Sequence, residues 1–103
     1  MRELVVPLAA QRDEKSVEMI RAWVAEHSLH CALNIGHFSA QGHRETLGWG
    51  ILLADAIRHI GNAIQEKDGV PSAETVAAVL DSLTSELAEP TSPASGTFDE
   101  APS

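Results

Sequence analysis

The chain has a single cysteine, Cys31, so it cannot form an internal disulfide. Aromatic residues are scarce: two tryptophans, two phenylalanines and no tyrosine. Basic residues are scarce too, 7 against 15 acidic ones, for a formal net charge of −8. The Lys and Arg residues stand singly along the chain, from Arg2 to Lys67. Nothing here matches the interleaved basic and aromatic side chains that grip single-stranded nucleic acid. The average charge repels a polyanion and an anionic membrane surface alike. Long apolar runs are also missing. Leu4-Val5-Val6 is cut off by Pro7, too short for a signal peptide or an anchor. No stretch approaches the roughly 20 apolar residues of a membrane span. A cytoplasmic protein that binds neither nucleic acid nor membrane is expected.

The motifs of common chemistry are missing as well. There is no G-x-S-x-G elbow around a serine. The "GWG" at Gly48–Gly50 lies in a helical stretch and has no Lys-Ser/Thr after it, so it is not a phosphate loop. Cys31 shows no sequence sign of activation. The carboxylate pair Asp13-Glu14 suits a helix start, and Asp99-Glu100 reads as solvated charge. No catalytic residue, cofactor or metal ligand set is expected.

What is present is a 44% apolar composition, which argues for a globular fold. Leu4–Val6 reads as a short strand ended by Pro7. Asp13 is placed to cap a helix running from Glu14 to Glu26, with Val17, Ile20 and Val24 on one stripe, Trp23 beside it, and His27 at its C-terminus. From Leu29 the period changes to two. Leu29, Cys31, Leu33 and Ile35 alternate with His30, Ala32 and Asn34, the pattern of a strand with one buried face. "SAQGHRE" is a loop. A long helix follows from Glu45 to Lys67, closed by Asp68-Gly69 with Gly69 in a left-handed cap. Ser72 is the expected N-cap of a last helix with a seam at Val76, Leu80, Leu83 and Leu87, stopped by Pro90. "TSPASGTFDEAPS" reads as a disordered acidic, Pro/Ser-rich tail.

The expected fold is therefore α+β, in the order strand, helix, strand, helix, helix. A small sheet is covered by helices, with a long helix at the centre. Residues 1–89 form one domain and 90–103 the tail. Two strands make a marginal sheet alone. A second copy of the chain is the simplest remedy, so a homodimer is expected.

The long helix carries the informative stretch, "WGILLADAIRHIGNAI" from Trp49 to Ile64. On a helical wheel its apolar and small residues fill an arc of roughly 200°. A surface helix needs only about 100°, so this one is buried from two directions. Gly50, Ala54 and Gly61 form a small edge of the arc, suited to close approach of another backbone. Asp55, Arg58, His59 and Asn62 form a polar stripe opposite. One reading of the stripe is a solvated face with Asp55 paired to Arg58 and His59. The other is a binding face, with Asp55 orienting His59 and the strand residue His30 nearby.

All five histidines lie between positions 27 and 59. His30 and Cys31 are strand neighbours and point to opposite faces. Sites built from His30, His37 or His43 have no established metal spacing.

At "ELVVP", "MIRAWVAEHSLHCAL" and "WGILLADAIRHI" the chain resembles a family of small bacterial proteins known only as a domain of unknown function, DUF5076, frequent in alphaproteobacteria. The resemblance runs from Glu3 to Pro90 and is most specific from Trp49 to His59. It implies no activity, ligand or catalytic residue. The functional expectation is a small non-catalytic interaction or regulatory protein acting as a homodimer. The alternative is a small-molecule or metal binder using Asp55, Arg58, His59 and Asn62 with His30.

Overall fold

In the computed structural model, which describes residues 1–100, the chain runs through seven elements. They are α1 (Leu8–Arg12), β1 (Ile20–Ala25), β2 (Ser28–Ile35), α2 (His37–Ala40), α3 (Glu45–Asp68), α4 (Ser72–Ala88) and β3 (Ala94–Glu100). The class is α+β, with a three-stranded sheet in the order β1-β2-β3 and a long α3.

β2, α3 and α4 follow the periodicity of their residues. α3 ends as its sequence implies. Gly69 takes a left-handed φ of 77° and its N–H donates to Gln65 O at 2.9 Å. Pro71, not Ser72, holds the N-cap position of α4. Ser72 instead ties the two helices together: its N–H donates to Gln65 Oε1 and its hydroxyl to Asn62 Oδ1.

Three further expectations are corrected. Leu4–Val6 is not a strand; it is an extended arm leading to Pro7, which precedes α1. The arm is tied by a Glu3–Arg21 ion pair at 3.6 Å and by Gln11 Nε2 donating to Val6 O. The expected helix at 14–26 does not form either. Asp13 ends α1, accepts the Lys15 N–H through Oδ1, and turns the chain into β1. β1 and β2 form an antiparallel hairpin in which Ala25 pairs with Ser28. The two-residue turn is Glu26-His27, both with positive φ (52° and 64°). Positive φ at both positions is the type I′ signature, normally announced by Asn-Gly or Asp-Gly. Glu-His gives no such announcement, and so the β-branched residues of β1 read as one helical stripe.

The third correction concerns the expected flexible tail. Ala94–Glu100 lies parallel to β2 as β3, with Leu33 opposite Phe98 and Cys31 opposite Gly96. Only a glycine fits there, since a Cβ would strike the Cys31 backbone, and Gly96 has φ 142°. The remainder of the expected tail, 101–103, lies outside the described residues.

The registers give the sheet one apolar face, because side chains alternate and paired residues share a side. That face carries Ile20, Ala22 and Val24 from β1, Leu29, Cys31 and Leu33 from β2, and Ala94 and Phe98 from β3. Arg21, Trp23, His30, Asn34, Ser95 and Thr97 lie on the other. α3 packs mainly on α4 and more lightly on α2 rather than across the sheet. Among the described residues no hydrophobic side chain is buried; Thr75 and the glycines Gly48 and Gly61 are. The chain exposes 8465 Å², whereas a folded monomer of this mass exposes about 5600 Å². Its radius of gyration is 15.3 Å, against about 13 Å for a compact domain of this length.

Candidate functional site

The polar stripe of α3 exists, but its residues do not converge on one point. Asp55 and Arg58 form an ion pair one helical turn apart, with both side chains more than half exposed. His59 is exposed beside them. Asn62 accepts the Ser72 hydroxyl at 3.1 Å, so it serves the α3–α4 junction. His30 lies on the sheet. Its ring is hydrogen-bonded through Nε2 to Ser28 Oγ at 3.2 Å and through Nδ1 to Ser95 Oγ at 3.1 Å. Both of these partners are strand residues, which ties the ring to β2 and β3 rather than to the stripe.

A second locus lies where the chain leaves β2 and enters α3, and sequence reasoning missed it. Gly36 takes a left-handed φ of 101° and turns the chain into α2. Glu45, at the start of α3, gathers this corner. Its Oε2 accepts the Gly36 N–H at 2.9 Å and the Trp49 indole N–H at 2.8 Å. Its Oε1 accepts the Ser39 N–H at 3.0 Å and the Ser39 hydroxyl at 3.3 Å. The Gly36 backbone bond, with further bonds from Ser39 and Trp49, outweighs partial desolvation and lowers the Glu45 carboxyl from 4.5 to about 2. Phe38 sits directly on Gly48, where no Cβ could be accommodated, and meets Trp49 edge-on at 6.1 Å. Glu45-x-x-x-Trp49 at i, i+4 was the only local signal in the sequence.

Beside this corner is a cleft of about 570 Å³. Met19, Phe38, Leu47 and Leu52 give it apolar walls, and Lys15, His37, His43 and Asp55 supply polar groups. An apolar cavity with a few convergent polar groups is the usual form of a small-molecule site. Of the five residues named from the sequence, only Asp55 reaches it; Arg58, His59, Asn62 and His30 do not line it. Among the described residues, no three His, Cys, Asp or Glu side chains are grouped to hold a metal ion. No helix of the described residues is long and apolar enough to cross a membrane.

An α+β chain with a β-hairpin, a parallel third strand and a long helical hairpin is the class so defined. Residues 3–91 match the family described as Domain of unknown function (DUF5076), and the chain belongs to that family. It is also similar to a solved structure from the photosynthetic bacterium Rhodopseudomonas palustrus CGA009, provisionally described as a pyruvate dehydrogenase. That match has a TM-score of 0.64 at 22% identity and covers 90% of each chain. At that identity the likeness establishes the fold alone. No curated protein matches the sequence.

Proposed function

We propose that this protein is a small, non-catalytic interaction or regulatory protein of the bacterial cytoplasm that works as a homodimer. The observation that carries the reading is surface. The chain exposes 8465 Å² with no buried hydrophobic side chain among the described residues, about 2800 Å² more than a monomer of its mass should. Folded chains do not leave so many large hydrophobic side chains in water, and a second copy is the simplest cover. Native mass spectrometry of freshly purified protein over a dilution series tests this. A dimer at twice the sequence mass is the expected result; a stable monomer at every concentration would refute it.

A second reading has its own observation, the cleft beside Glu45. In that reading the protein binds a small molecule between Phe38 and α3, with Lys15, His37, His43 and Asp55 as the polar contacts. Asp55 then belongs to the site, and Arg58 holds its carboxylate. The same spectra distinguish the readings, because a retained small molecule adds mass to the chain.

A further inference from the structure

We infer that the dimer is reciprocal: the apolar sheet face of each copy is covered by the α3–α4 hairpin of the other. This rests on the homodimer reading above and specifies its interface. Apart from the N-terminal arm, where Leu4 and Val5 are 91% and 85% exposed, two separate apolar surfaces lie open on the folded body of the chain. The first is the sheet face, where Val24 is 86% and Phe98 64% exposed, with Ile20 and Leu29 also open. From Ile20 to Leu33 and from Ala94 to Phe98 that face carries no charged side chain.

The second is on the helical hairpin. α4 covers α3 at Gly61, where a Cβ would lie 2.8 Å from Ser72 Oγ and 3.1 Å from Val76 Cγ2. From about 80° to about 160° around the helix from Gly61 lies a sector of Leu53, Ile60, Ala56 and Ala63. In that sector Leu53 and Ile60 remain 45% and 43% exposed. Leu80 and Leu87 of α4 are open as well.

A second copy of this chain is the occupant that fits. Each copy carries a net charge of −8, so two copies must meet where neither is charged. Sheet-on-sheet pairing would leave the hairpin sector in water, and helix-on-helix pairing would leave the sheet in water. Only sheet against partner hairpin, repeated by a two-fold axis, covers both surfaces at once. Obligate homodimers bury about 2000–5000 Å² in total. The excess on each chain, about 2800 Å², is enough for both contacts.

The test pairs one variant on each face, Val24→Asp and Ile60→Lys. Each alone places an unpaired charge in both copies of the contact and should weaken dimerisation about a hundredfold or more. Mixed one to one, they should restore a heterodimer. One contact then joins two unsubstituted faces, and the other sets Asp against Lys. With one of the two variants uniformly labelled with nitrogen-15, native mass spectrometry resolves the three species. Variants that remain dimeric, or a mixture that stays monomeric, would overturn the reciprocal interface. A wild-type monomer would instead overturn the dimer reading beneath it.

Thiol cross-linking gives a measurement that does not require disrupting the interface. Cys31 is the sole cysteine and lies on the sheet face. With a flexible bismaleimide, wild type should stay single-chain on a denaturing gel, and Ile60→Cys should give a covalent dimer. Cross-linking of wild type through Cys31 alone would mean that the sheets face each other and would refute the proposal.

Discussion

Three glycines inside α3 meet different surroundings, and alanine at each should separate them. Gly50 has nothing within 4 Å of the position a Cβ would occupy. A glycine in a helix interior costs about 1 kcal/mol against alanine, so Gly50→Ala should stabilise by about that amount. The same gain is available at Gly48 and Gly61. At Gly48, however, the new methyl collides with the Phe38 ring, which is held against Trp49. At Gly61 it would come within 3.1 Å of the Ser72 backbone carbonyl as well as of Val76. Overpacking of this kind costs about 1–3 kcal/mol. The net effect at these two sites runs from neutral to about 2 kcal/mol destabilising. Gly50→Ala and Gly48→Ala should therefore lie about 1–3 kcal/mol apart. Urea unfolding at one fixed protein concentration measures this, because a dimer's stability depends on concentration. If Gly48→Ala stabilised as much as Gly50→Ala, the seating of Phe38 on Gly48 would be refuted. Equal effects at Gly50 and Gly61 would refute the close α3–α4 approach.

Two further outcomes follow from the polar groups. The Glu45 carboxyl titrates lower in the folded chain than in the unfolded one, near 2 against 4.5. Its contribution is therefore complete above pH 4.5 and is lost as pH falls toward 2. Glu45→Gln should flatten the fall in melting temperature across that window, and parallel wild-type and variant curves would contradict the corner described here. The exposed Asp55–Arg58 pair should contribute little: a double-mutant cycle should return a coupling of about 0.2–0.5 kcal/mol. A coupling several times larger would mean that the pair is desolvated, as a dimer contact or an occupied cleft would make it.

Local pattern reached some elements and not others. β2, α3 and α4 each carry a long, unmixed period, and for those the hydrophobic repeat was sufficient. β1 did not, because Ile20, Trp23 and Val24 satisfy a helical stripe while Ile20, Ala22 and Val24 satisfy a strand. The tie was broken by pairing with β2 through a turn whose Glu26 and His27 carry no turn signal. β3 was hidden in the same way. Its Pro- and Ser-rich surroundings read as tail, and only its register against Cys31 and Leu33 gives Gly96 and Phe98 a place.

Of the candidate site, the stripe of Asp55, Arg58, His59 and Asn62 was visible because four residues one turn apart share a face whatever the helix packs against. His30 could not be joined to it, since a strand residue's neighbours depend on the sheet. The Glu45 corner and the cleft were out of reach for the same reason: their contacts join Gly36, Ser39 and Met19 to α3 across turns. The small edge of the α3 arc divided only in three dimensions, where Gly61 lies against α4 and Gly50 lies open. The sequence by itself determined the two long helices, α3 and α4, one strand and the wide apolar arc, because these rest on periods within a single element. Tertiary structure decided the hairpin, the third strand, the Glu45 corner and the two uncovered faces, because those depend on which distant residues meet.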